Sequence, residues 1–240
     1  MDVSTEQPIP FFRPLGLALT ATAAAFVAIL VAGLGWFALS GRGPAAVAAL
    51  KNPGSDPLQT VALFAYVVMA AVLLWRWPRI MRRTPHELGL RGLRPRDWAT
   101  AGIGIAAVYA LRFLTGLALS LTHNTHHVQT GFEHFRVTDA YGAAVTAATA
   151  VIAAPFTEEL LFRGVIFSAL WSRLPVVVAA ALSALLFGLI HNDGVLFPAI
   201  AGLGFINALV YARSGNLYAA MIVHAANNLL PIVFLIAYGT

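Results

Sequence analysis

The chain has 240 residues, of which 59% are apolar and 10% charged, and its mean hydropathy is +0.78. Soluble domains carry roughly 25% charged residues, so the composition is that of a polytopic membrane protein, an all-α transmembrane bundle held by helix–helix packing. It contains no cysteine, which excludes disulfides, thiolate zinc sites and cysteine nucleophiles, and a net charge of +5.

That charge does not point to nucleic acid. Seven of the fifteen basic residues (Arg76, Arg79, Arg82, Arg83, Arg91, Arg94 and Arg96) fall in one stretch, with no aromatic-interleaved basic fold around them. They suit a cytoplasmic loop facing anionic lipid.

A bilayer span needs about 20 apolar residues. Apolar runs at 15–39, 58–77, 98–121, 139–171, 175–191, 195–213 and 216–238 therefore predict a single integral membrane domain over 1–240, with about seven or eight helices. The first run exceeds the roughly 7–15 residues of a signal-peptide core and is read as a retained helix. The fourth is long for one span and is interrupted by Pro155, so it is either one kinked helix or two pieces. No run alternates at period two, which argues against a transmembrane barrel. With the arginine loop inside, the N-terminus is cytoplasmic, residues 122–138 lie outside, and Arg173 and Arg213 fall inside.

Within this apolar chain three polar clusters stand out, all in the core segment 139–238. Ionisable groups at such depth are disfavoured by roughly 2.5–3.5 kcal/mol each on insertion scales, and they mark functional sites. The first cluster is Glu158, Glu159 and Arg163. Pro155 and Thr157 look like a helix stop and a new cap, which would put both carboxylates in a first turn favoured by the helix dipole. Glu159 and Arg163 are four apart in the favourable order for an ion pair and are assigned to support. Glu158 points about 100° away, with no cation beside it in sequence. Such a carboxylate in a low-dielectric cavity is a usable proton acceptor.

The second cluster is His191, four residues after Phe187 and followed by the turn Asn192-Asp193-Gly194; Asp193 either orients the imidazole or serves the turn. The third is His224 and Asn228 on one face of the last helix, which Asn216 caps after Gly215 ends the helix before it. Two such donors on a rigid helix can hold an oxyanion. The plainer role for such groups is interhelical hydrogen bonding, and the lone amide Asn207 fits it best. A further group, His123, His126, His127, Glu133 and His134, sits in the outer loop. Its spacing matches no helix-borne metal site, and solvated histidines are its simpler reading.

Glu-Glu-x-x-x-Arg, Phe-x-x-x-His and His-x-x-x-Asn, in this order, resemble the CPBP family of CAAX proteases and bacteriocin-processing enzymes, also known as the abortive-infection family. The eukaryotic relative is the type II CAAX prenyl endopeptidase. The similar stretch runs from Ala154 to Pro231 and includes Ala154-Pro155-Phe156-Thr157-Glu158-Glu159-Leu160-Leu161-Phe162-Arg163-Gly164 and Arg213-Ser214-Gly215-Asn216-Leu217. The resemblance implies an intramembrane peptidase of a membrane-associated or prenylated-type substrate. By motif position, Glu158 with His191 would activate water, His224 and Asn228 would stabilise the oxyanion, and Glu159 and Arg163 would support the site. It also implies a second possibility, a zinc enzyme with Glu158, His191 and His224 as ligands. A metal-free mechanism is favoured because Asn228 is a poor zinc ligand and a natural oxyanion donor. The short loops and arginine-rich usage suit the plasma (inner) membrane of a prokaryote.

Two other classes fit the same residues. One is a non-catalytic membrane immunity or scaffold protein that binds a peptide or partner helix in the cavity. The other is a small proton-coupled transporter, which fits less well because the polar residues are confined to one half and transporters repeat theirs. His-Glu-x-x-His, Gly-x-Ser-Gly and Gly-x-Gly-Asp are all absent.

Overall fold

A computed structural model describes residues 13, 16–25, 27, 31, 35, 56–81, 84–123 and 140–238. Among these residues there are seven helical segments and no strand: α1 (Gly16–Ala25), α2 (Asp56–Met81), α3 (Pro95–Leu121), α4 (Ala140–Trp171), α5 (Val176–Ile190), α6 (Phe197–Ser214) and α7 (Leu217–Tyr238). Helices α2, α3, α4 and α7 are long and apolar enough to cross a membrane. The all-α bundle expected from composition is what the chain forms.

The fourth apolar run is a single helix, not two. Pro155 neither stops it nor creates a new cap, and Thr157 donates its hydroxyl to the Tyr66 carbonyl of α2 at 3.2 Å instead. The physical reason is a change of register. Residues Ala148–Ala153 form a π segment, so the ladder already runs wide where the proline falls. A second π segment covers Leu160–Phe167. The two carboxylates therefore lie in mid-helix, and the first-turn dipole that would have explained them structurally does not apply.

Helix α4 is the centre of the bundle. Helix α2 packs along it, α5 and α6 meet its second half, and α7 lies against its first half. Small residues permit close approach: a Cβ on Gly164 would clash with the Trp77 ring of α2. Outward faces are apolar, with Ile103, Phe113, Leu117 and Leu121 of α3 exposed, as lipid contact requires. Trp75 and Trp98, also exposed, flank the arginine loop where amphipathic rings favour the membrane interface.

That loop is pinned to the turn between α6 and α7. Asp97 is fully buried and accepts from Arg91 Nη1 at 2.9 Å, the Arg94 amide at 3.0 Å and Asn216 Nδ2 at 3.2 Å. Arg91 also donates to the Ser214 carbonyl at 2.9 Å, and the Leu217 amide donates to the Gly89 carbonyl at 2.9 Å. Gly215, with φ +61°, takes the left-handed conformation that ends α6, and Asn216 caps α7 by accepting from the Tyr218 amide. Gly89, Arg91 and Asp97 thus fix where α7 starts, and with it the height of His224.

Candidate active site

The site is built on one turn of α4. Glu159 and Arg163 are both fully buried, with Arg163 Nε 3.0 Å from Glu159 Oε2. The contact is Coulombic rather than a well-aligned hydrogen bond. The guanidinium also donates to the Gly204 carbonyl of α6 at 2.8 Å and lies 4.9 Å from the centre of the Phe187 ring of α5. The other oxygen of Glu159 receives Asn207 Nδ2 of α6 at 2.9 Å and meets His224 Nδ1 of α7 at 2.8 Å. One carboxylate therefore ties together α4, α6 and α7. Asn207, expected to be an interhelical hydrogen bonder, bonds to the residue that holds the imidazole.

Glu158 faces the other way and is also buried. Its Oε1 accepts from the Tyr66 hydroxyl of α2 at 2.9 Å. Its Oε2 lies 3.9 Å from His191 Nε2 and 3.9 Å from His224 Nε2, with no hydrogen-bond partner among the described residues. The two imidazoles are held from behind. His191 Nδ1 is 2.7 Å from the Phe187 carbonyl, which can only accept, so Nδ1 carries the proton. His224 Nδ1 is directed the same way at the Glu159 carboxylate. Phe187 packs against both rings, with centroids 4.6 Å from His191 and 5.7 Å from His224.

Helix length explains how His191 comes to lie at this depth. It is the C-cap of α5, which at 15 residues and about 1.5 Å per residue is roughly 22 Å long, short of a hydrocarbon core of about 30 Å. The chain turns directly after it through Asn192-Asp193-Gly194, with Asp193 buried and Asn192 and Gly194 exposed. Asp193 serves that turn: its Oδ1 accepts from the Leu196 amide at 2.9 Å.

Asn228 sits one helical turn beyond His224 on α7 and is bonded elsewhere. Its Nδ2 donates to the Ala150 carbonyl at 2.8 Å and its Oδ1 accepts from Asn227 Nδ2 at 2.9 Å. One of its two N–H groups remains uncommitted in this pattern. The structure thus brings Glu158, His191 and His224 to a common point, with Glu159, Arg163 and Asn207 behind them. Of the outer-loop group, only His123 falls within the described residues; His126, His127, Glu133 and His134 lie outside them.

Tyr66 is the site residue that motif reading missed. Its signal is depth: ten residues into the 26-residue α2, about 15 Å from the start, a phenol lies well inside the membrane, whereas tyrosine favours the interface. A polar ring there needs a partner, and Glu158 supplies it.

An all-helical membrane protein whose central helix carries two buried carboxylates, one aimed at two imidazoles, is the class that fold and site define. Residues 140–230 match the family profile described as Type II CAAX prenyl endopeptidase Rce1-like. The chain is 25% identical over 162 residues to the membrane-embedded CAAX protease MroQ of Staphylococcus aureus, covering 63% of this chain and 64% of that protein. It is 25% identical over 177 residues to the putative membrane peptidase YdiL of Bacillus subtilis, covering 72% and 69%, and 38% identical over 80 residues to the UPF0177 protein YxdF of Lactococcus lactis, covering 32% and 43%. The match spans just under two thirds of the first of these relatives. No solved structure matches the chain. The resemblance carried by the three motifs is thereby shown: over residues 140–230 the chain is similar to the CAAX protease family.

Proposed function

We propose that the chain is an intramembrane endopeptidase that cleaves a membrane-associated or prenylated-type peptide with water activated by Glu158. The observation that carries this reading is the position of Glu158 Oε2, 3.9 Å from Nε2 of both His191 and His224. That spacing is too long for direct hydrogen bonds and suits one bridging water. Tyr66 holds the other oxygen, so the free lone pairs face the gap. Water gives a proton to Glu158 as its oxygen attacks the scissile carbonyl, and His191 helps to orient it. His224 donates from Nε2 when both of its ring nitrogens carry protons, Nδ1–H staying on Glu159, and with the spare N–H of Asn228 it holds the oxyanion. The C–N bond then breaks, and the proton on Glu158 passes to the leaving amine. The two glutamates divide the work: one moves the proton and the other positions His224.

The same donors suit zinc in chemistry. A metal-bound histidine usually gives its other N–H to a carboxylate or carbonyl, as both imidazoles do here. Glu158, His191 and His224 would hold the ion, which when bound makes its water more acidic. Their separations are wider than the roughly 3.4 Å between ligands of a tetrahedral shell with bonds near 2.0–2.1 Å; among the described residues no such group stands at metal-binding spacing. The metal-free version is therefore the one we favour. It predicts full activity after treatment with a strong chelator. Activity that tracks one zinc per chain and returns only with added zinc would transfer the site to the metal mechanism.

Tyr66→Phe is expected to lower kcat roughly tenfold with little change in KM, the scale of one hydrogen bond to a charged group. Steady-state cleavage in reconstituted membranes measures it, and an unchanged kcat would remove Tyr66 from the reaction.

The positive-inside pattern supports a bacterial inner-membrane protein with its N-terminus and arginine loop in the cytoplasm. Arg96 is the position to label, because its side chain is 67% exposed whereas that of Arg91 is 11% exposed and clamps Asp97. A single cysteine at position 96 should resist an impermeant maleimide in intact cells, and one at Thr125 should react. The opposite pattern would invert the topology.

A further inference from the structure

Pro155 falls where a helix interior least tolerates it, yet α4 continues through it. Its effect is on the carbonyl of Ala150. In an α register that carbonyl would accept from the Ala154 amide, but this amide is given to the Thr149 carbonyl, five residues back. If the wide register ran one residue further, the donor would be the amide of residue 155, and proline has none. The Ala150 carbonyl is left for Asn228 Nδ2, which donates to it at 2.8 Å across the interface with α7. Because a carbonyl only accepts, this bond fixes which end of the Asn228 carboxamide is nitrogen. The bond from Asn227 Nδ2 to Asn228 Oδ1, at 2.9 Å, fixes the other end. Asn227 is steadied in turn by Arg112 Nη1 of α3, 3.2 Å from its Oδ1.

We propose that Pro155 is a positioning residue for Asn228: by withholding its own N–H it keeps the Ala150 carbonyl free to lock the Asn228 carboxamide, with one N–H left to donate. The proposal rests on the reading of Asn228 as an oxyanion donor. Pro155→Ala supplies an N–H that competes for the same carbonyl and lets the carboxamide turn.

Two measurements test it. The first does not depend on activity. In protein labelled with 15N-asparagine, the Asn228 side-chain pair is identified by its loss in Asn228→Ala. In the parent, one proton of this pair should exchange with solvent much more slowly than the other. In Pro155→Ala that difference should collapse. A parent pair in which both protons exchange as fast as those of an exposed asparagine side chain overturns the proposal, even if Pro155→Ala does not fold. The second is a kinetic cycle with a membrane-anchored peptide. Pro155→Ala should lower kcat by about tenfold or more, below the roughly 10²–10³-fold ceiling for one oxyanion donor, with KM nearly constant. Pro155→Ala/Asn228→Ala should be no slower than Asn228→Ala alone. Effects that multiply would show that Pro155 acts on something other than Asn228. If the parent cleaves nothing while its Asn228 amide is locked and loosens in Pro155→Ala, the lock stands and the peptidase reading fails.

Discussion

Glu158→Gln is expected to lower kcat by about 10²–10⁴-fold, the usual contribution of a positioned general base, while leaving the fold intact. The substitution is close to isosteric. The amide oxygen can still accept from the Tyr66 hydroxyl, as Oε1 does now at 2.9 Å. Its NH₂ would replace an oxygen that has no hydrogen-bond partner and faces two imidazole nitrogens. The buried polar balance therefore improves as the proton acceptor is lost. Thermal unfolding in detergent should show a Tm equal to or above that of the parent, alongside a near-complete loss of turnover. Equal turnover in the two proteins would remove Glu158 from the chemistry.

The other large effect is expected at Glu159. Glu159→Ala leaves Arg163 fully buried without its carboxylate and takes away the acceptors of Asn207 and His224. Breaking one side of a buried pair is destabilising by roughly 3–5 kcal/mol. Glu159→Ala should unfold well below the parent or fail to accumulate. Replacing both partners, as Glu159→Leu with Arg163→Met, should recover much of that stability because no buried charge is left alone. It should not recover activity, since His224 Nδ1 still has no carboxylate behind it. Unfolding temperatures and turnover of these two variants, set against the parent, separate the two effects. If the apolar pair restores turnover, Glu159 is scaffolding only.

The asymmetry between the two glutamates was partly legible in the sequence. A four-residue spacing puts Arg163 beside Glu159 and leaves Glu158 on another face, and the contacts follow that division. From the second apolar run onward the helix positions were also legible, because apolar runs and Gly/Asn turn residues mark them, while the end of the first run lies outside the described residues; Gly215 and Asn216 end and restart helices as their chemistry predicts. The path of the chain through Pro155 was not. Proline ordinarily ends a helix, and only the π segment before it, set by packing against α2 and α7, turns it into a continuation. Tyr66 and Asn207 were illegible as site residues for a different reason. Each acts through a partner on another helix, 92 and 48 residues away in sequence, so no local pattern connects them to the motifs. Asn228 shows the same limit: its spacing from His224 places it on the right face, but the bond to Ala150 depends on the neighbouring helix.

The most direct test is hydrolysis itself. The purified chain, reconstituted in lipid, is incubated in H₂¹⁸O with membrane-anchored peptides, with and without a prenylated C-terminus, and the products are weighed by mass spectrometry. The account predicts cleavage at a defined bond, with one ¹⁸O in the new carboxyl group, by the parent and not by folded Glu158→Gln. Tight binding of these peptides by the folded parent with no cleavage of any would contradict it and leave a membrane protein that holds a peptide in the same cavity.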